Sequence, residues 1–294
     1  MAVPAVVETQ PPYVLPQQLF PLPERRPTAP RVHLGNLGID TYTRAGLLIE
    51  ILDHALHGTR TRQIVTANAQ FYVLADKDIR FRGLVEECEY ICADGMPLVW
   101  ACDRLAHTKV PRIAGVDLIE DLCREGSAQG LRVFFMGGRP GTARATASIL
   151  ATKYPGMVVA GVSCPKYGFQ LNRESLTRAL DEIREAKPHV LFLALGAPKQ
   201  EFFIGEHIRP LGIPLAVGIG GSFELLAGAV ERAPQWMQDA GLEWAFRFVQ
   251  EPQRLWRRYL LGNVEFLWGL GRWRFKLALR ERHSRVLNSR AREI

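Results

Sequence analysis

The 294-residue sequence predicts an α/β fold: a mostly parallel sheet with helices on both faces, followed by a C-terminal helical appendage. Three observations carry that prediction. Short apolar, β-branched runs alternate with stretches of helical periodicity from about residue 31 to 235. Five of those runs end in small or polar residues, and the positive charge of the chain gathers at its C-terminal end.

Residues 1–30 hold eight of the 19 prolines. Proline has no N–H for helix or sheet ladders, so this stretch reads as a disordered lead-in. No charged segment followed by an apolar run opens the chain, and no run of about 18 apolar residues occurs. Neither a signal peptide nor a transmembrane helix is expected.

A core over residues 31–240 follows. Strands are expected over 63–65, 90–92, 132–136, 157–162, 190–195 and 214–217, and helices over 118–128, 142–154 and 174–186. The strand ends hold the unusual residues. QIVTAN runs into Thr66 and Asn68, YICADG into Asp94, and VFFMGG into Gly137 and Gly138. VLFLALG runs into Gly196, and LAVGIGG into Gly218, Gly220 and Gly221. Ligands of open α/β sheets bind at the carboxyl edge, so these residues predict a pocket.

The residue types suggest its chemistry. In MGGRPGTA, backbone N–H groups and a helix starting near Pro140 can hold a phosphate, and GIGGSFE offers a second close-approach loop. Neither loop is a dinucleotide or Walker fingerprint, and a plain tight turn explains either as well. Asp94, followed by glycine, can act as a general base in the crevice. On spacing alone the cap of a helix beginning at Gly95 or Met96 is the stronger reading. Thr66 and Asn68 suit sugar hydroxyls, although Asn68 can also cap a helix over 69–75. Pro198, Lys199, Gln200 and Glu201 open another helix. There Lys199 can face a phosphate and Gln200 can read a base or sugar, while Glu201 also complements a helix dipole. The Arg112 guanidinium can take phosphate oxygens in pairs.

No metal and no other cofactor is expected. The seven histidines are scattered, and the five cysteines have no zinc-ribbon spacing, so they read as free thiols of a reducing cytoplasm. The core is expected to lack the Asp-x-Asp pair that often holds a divalent metal on a diphosphate, leaving arginine or lysine to balance that charge.

The appendage, residues 241–294, supplies such groups. From Arg247 onward the chain has 12 Lys/Arg against 4 Asp/Glu, which accounts for the net charge of +7. Arg247, Arg254, Arg257 and Arg258 alternate with aromatic residues, and Trp268, Trp273 and Phe275 interleave with Arg272, Arg274 and Lys276. Such a segment suits the surface of an anionic membrane. A dimerisation helix is the other reading. Nucleic acid is not expected as a partner, because the core has no nucleic-acid-binding motif.

Together these residues resemble the WecG/TagA/CpsF family, glycosyltransferase family 26. The matching blocks are TAN at 66–68, ADG at 93–95, R-x-x-G-x-D from Arg112 to Asp117, LGAPKQE at 195–201 and GIGGSFE at 218–224. They continue with AG at 227–228, RAPQW at 232–236, GLEWAFR at 241–247 and EPQRLWRRY at 251–259. Glu224 departs from the aspartate that many relatives carry there.

The resemblance implies a Rossmann-like core whose appendage closes over the site. It implies inverting, metal-independent transfer from a UDP-sugar to an undecaprenyl-diphosphate-linked saccharide, in surface or exopolysaccharide synthesis of the xanthan type. It makes Asp94 the base, Thr66, Asn68 and Gln200 pocket residues, and the appendage arginines stabilisers of departing UDP. It also implies oligomers and a peripheral position on the inner face of the cytoplasmic membrane. The rival readings are a nucleotide-sugar oxidoreductase or epimerase, and a non-catalytic membrane scaffold.

Overall fold

The computed structural model describes residues 29–256 and 261–290. The expected disorder of the proline-rich lead-in falls, but for its last residues, outside them. The described chain opens with an antiparallel hairpin, β1 (Arg31–Leu34) and β2 (Leu37–Asp40). Sequence reading missed it, although Gly35-Asn36 between Leu34 and Leu37 is a two-residue hairpin signal and Gly35 takes a φ of +58°.

Then come α1 (Arg44–His57), β3 (Arg62–Ala67), α2 (Ala69–Lys77), α3 (Ile79–Glu86), β4 (Tyr90–Ala93), α4 (Met96–Ala106) and α5 (Gly115–Ser127). They are followed by β5 (Arg132–Gly137), α6 (Thr142–Lys153), β6 (Val158–Ser163), α7 (Arg173–Ala186), β7 (Val190–Ala194), α8 (Lys199–Phe203) and β8 (Leu215–Gly218). The short helices α9 (Ser222–Leu226), α10 (Gln235–Asp239), α11 (Glu243–Gln250) and α12 (Pro252–Trp256) lead to the long α13 (Gly262–Arg290).

Several helix starts are written locally. Thr43 caps α1, Asn68 caps α2, Asp78 caps α3 and Asn172 caps α7, each accepting a backbone N–H of the first turn. The helix expected near Pro140 begins instead at Thr142. Gly138 and Gly141 both take left-handed φ values, which carries Pro140 through a turn before the helix.

Strands β3 to β8 form one parallel sheet in the order β4-β3-β8-β7-β5-β6. Side chains alternate between its faces. Ile64, Val133, Phe135, Val190, Phe192 and Val217 pack on one side with α1, α5, α6 and α9. The rings of Phe192 and Phe223 lie 5.9 and 5.8 Å from Phe135, and burying each contributes about 1.5–3 kcal/mol. The other face is divided. Val65, Ala67, Ile91 and Ala93 pack under α2, α3 and α4 together with Phe266 and Leu270 of α13, and Phe134, Leu191 and Leu193 under α7 and α8.

The hairpin closes the β4 edge. The Ile91 N–H, which has no strand partner, donates to buried Asp40 Oδ2 at 2.7 Å, and Arg31 Nε holds Asp40 Oδ1 at 2.7 Å. At the carboxyl edge, β5 leads outward to β6 while its neighbour β7 leads inward to β8. The loops diverge there, and a crevice opens.

Candidate active site

A cavity of about 580 Å³ occupies that crevice. Five strand ends supply its core wall, as the sequence predicts: Thr66 and Asn68 after β3, Asp94 after β4, Gly138 and Arg139 after β5, Gly196 after β7, and Gly220, Gly221 and Ser222 after β8. The appendage supplies the opposite wall, with Glu243, Trp244, Arg247, Leu255 and Asn263.

Asp94 is half-buried, and its N–H donates to Ala67 O at 2.7 Å, which extends the β3–β4 ladder by one residue. It is not the helix cap: α4 begins at Met96 and its cap position is Gly95. Asn68 stands beside it, since a Cβ on Gly95 would lie 3.5 Å from Asn68 Cβ. The Asn68 oxygen accepts from Gln70 N at 3.0 Å, which leaves the amide nitrogen for a ligand. Buried Thr66 donates to Gly218 O at 3.0 Å and joins the ends of β3 and β8.

Gln200 is buried, and both polar atoms of its amide have partners. Its Oε1 accepts from Gly196 N and Gly220 N, both at 3.1 Å, and its Nε2 donates to Glu201 Oε1 at 2.7 Å. It lines the cavity as the tie between two loops, with no amide hydrogen-bonding atom left unpartnered. Two expected glycines shape the floor without lining the cavity. Gly137 has a φ of +92°, and a Cβ there would come within 2.7 Å of Ala194 O. Gly218 presses against the Gln200 amide. Pro198, Lys199 and Glu201 are likewise not brought to the cavity. Pro198 caps α8, Glu201 is buried beneath it, and Lys199 Nζ donates to Tyr167 Oη at 2.6 Å on the exterior.

The arginines differ in what they meet. Arg112 Nη2 donates to Glu243 Oε2 at 2.8 Å, and Arg232 Nη2 lies 2.7 Å from Asp117 Oδ1, so one ion-pair network joins α5 to α11. Arg139 pairs with Glu251 and lies 4.0 Å from Glu224. Arg247 Nη2 reaches Gly221 O at 3.4 Å, while its buried Nε has no partner. A Cβ on Gly221 would stand 2.6 Å from that guanidinium, so glycine admits it. Arg254 sits in α12 and its side chain lies outside the described atoms, as do Arg257 and Arg258 altogether.

Sequence reasoning missed Arg139, Glu224, Glu243 and Trp244 as cavity residues. Arg139 had a signal, because it stands between glycines of the MGGRPG loop. The expected absence of an Asp-x-Asp pair is corrected: Asp76-Lys77-Asp78 has that spacing. It lies off the ligand edge, where Asp78 caps α3 and Asp76 pairs with Arg272 of α13. All five cysteines are free, as expected.

The model of the glycosyl transferase WecG/TagA/CpsF family matches residues 32–280. An N-acetylglucosaminyldiphosphoundecaprenol N-acetyl-beta-D-mannosaminyltransferase of Bacillus spizizenii is 33% identical over 197 residues, covering 67% of this chain and 74% of that protein.

Proposed function

The chain belongs to the WecG/TagA/CpsF family of glycosyltransferases, and from that premise we propose the reaction it performs. It moves a hexose or N-acetylhexosamine-type sugar from a UDP-sugar to an undecaprenyl-diphosphate-linked saccharide, with inversion and without a metal, in surface or exopolysaccharide synthesis. The name of the Bacillus relative supports the acceptor class, since that enzyme acts on a diphosphoundecaprenol-linked sugar. Family membership favours this reading over the oxidoreductase, epimerase and scaffold alternatives.

The observation that carries it is one cavity with a strand-end carboxylate on its core wall and, on the other, a guanidinium whose buried Nε has no partner. The acceptor hydroxyl gives its proton to the Asp94 carboxylate as its oxygen attacks the anomeric carbon. The bond from that carbon to the β-phosphate oxygen breaks, and its electron pair leaves with UDP. Arg247 offsets the charge that develops on the diphosphate, a role the resemblance extends to Arg254, Arg257 and Arg258. Thr66 sets the depth of the floor, and Asn68 offers an N–H to a sugar oxygen.

A peripheral position on the membrane belongs to the same reading. Phe266 and Leu270 of α13 pack on the core, while Leu267, Trp268 and Phe275 are exposed beside Arg272, Arg274 and Lys276. Among the described residues no helix is long and apolar enough to cross a membrane.

The test is UDP release across a panel of UDP-hexoses and UDP-N-acetylhexosamines, with a lipid-diphosphate saccharide as acceptor. Wild type turns over at least one donor, and Asp94→Asn folds, binds UDP and transfers almost nothing. Normal turnover by Asp94→Asn would falsify the base assignment.

A further inference from the structure

Beneath the cavity lies a polar cluster that the transfer steps leave unused. Glu201 is fully buried, and its Oε2 has no hydrogen-bond partner. Buried Gln63 Oε1, on β3, has none either. Gln63 Nε2 donates to the Glu201 carbonyl oxygen at 3.5 Å, so reversing that amide would set oxygen against oxygen. Two buried acceptors without partners therefore belong to residues joined by that bond. An ionised carboxylate there would be a buried charge without a counter-ion, whereas a carboxylic acid supplies the missing hydrogen.

The cluster bears on the site through Gln200. Its Nε2 is held by Glu201 Oε1, and its Oε1 takes Gly196 N and Gly220 N from two separate cavity loops. The end of β8 leaves little room to re-form this arrangement. A Cβ on Gly218 would stand 2.6 Å from Gln200 Nε2 and 3.0 Å from Glu201 Oε1.

We infer that Glu201 works as a neutral carboxylic acid, a positioning residue that orients the Gln200 amide so that its oxygen ties two glycine loops into the shape of the transfer site. Burial pushes the Glu201 carboxyl up to about 7, against smaller lowerings by the Gln200 hydrogen bond and by the residue's own backbone N–H. The titratable groups on the elements packed against its helix are Arg80, Arg82 and Glu86 on α3 and Glu206 and His207 on the following turn, with Cys88 and the Glu89–Arg209 ion pair beside β4. Burial pushes the Cys88 thiol up, against a smaller lowering by the Arg209 charge.

The kinetic half of this inference rests on the proposed transfer reaction; the protonation half does not. Two measurements separate them. The first is unfolding as a function of pH for wild type and Glu201→Gln. The folded carboxyl holds its proton up to about 7 while the unfolded one loses it near 4.5, so wild type loses stability relative to Glu201→Gln as pH rises through that window. A stability difference that stays constant there overturns the neutral acid, whatever the enzyme transfers. The second is the pH profile of transfer. Wild-type kcat declines as pH rises through about 7, Glu201→Gln stays level across the same range, and Glu201→Ala loses roughly tenfold or more at every pH. Wild-type transfer by Glu201→Ala, or an alkaline decline retained by Glu201→Gln, overturns the positioning role.

Discussion

The two walls of the cavity are built differently. The core wall is made of strand ends whose polar groups are held by buried or half-buried hydrogen bonds to backbone: Thr66 to Gly218, Gln200 to Gly196 and Gly220, and Asn68 to the first turn of its own helix. The appendage wall is joined to it largely through ion pairs, Glu243 with Arg112 and Glu251 with Arg139, and Arg139 is almost half exposed. Neutral bonds to backbone at the edge of a close-packed sheet set one geometry, while side-chain ion pairs are screened by salt and exchangeable. Under the proposed function, the contrast predicts preorganisation in the core and reversible closure by the appendage. Arg112 and Arg139 are cations matched by carboxylates of the appendage, and under the same proposal a diphosphate is expected to compete with those carboxylates.

Four experiments sharpen or break that contrast, beyond the titration of Glu201. The largest effect belongs to the core wall. Asp94→Asn lowers kcat by about 10³-fold with unchanged thermal unfolding, because it removes a base and leaves the shape. Arg247→Ala, on the opposite wall, lowers kcat by about 10²-fold, with a smaller change in UDP affinity when measured by calorimetry. Equal losses in kcat/KM and in UDP affinity would assign Arg247 to ground-state binding instead. Asn68→Ala costs about 1 kcal/mol in denaturant unfolding through the lost cap of α2, in addition to any kinetic loss. An unchanged midpoint would mean that α2 does not use that cap. Glu251→Gln has the smallest effect, about 0.5 kcal/mol or less on stability, and added salt abolishes it. A cost above 2 kcal/mol, or one insensitive to salt, would show the appendage to be as firmly built as the core.

What the sequence determined by itself was local or periodic. Alternating β-branched runs and helical stretches specify a two-faced parallel sheet, because side-chain periods of 2 and 3.6 are properties of the backbone. The carboxyl edge was legible for a related reason. Glycines that turn the chain after a strand and polar residues beside them stand within a few positions of the strand they end, as at Asp94, Gly138 and Gly220. The Asn68 cap was legible too, since a cap and its helix are neighbours in the chain.

Only the tertiary structure decided how the charged and amide groups are used. Arg112 meets Glu243 across 131 positions and Arg139 meets Glu251 across 112, separations that no local pattern encodes. Gln200 and Lys199 are adjacent in sequence, yet one is buried among backbone N–H groups and the other rests on Tyr167 outside the cavity. The spacing offered both to a ligand, and the packing of α8 against the sheet, with Gly218 pressed on the Gln200 amide, separated them. Burial then decided the state of Glu201. At the start of an exposed helix it would be an ordinary carboxylate, whereas here it is fully buried and pairs with no cation among the described residues.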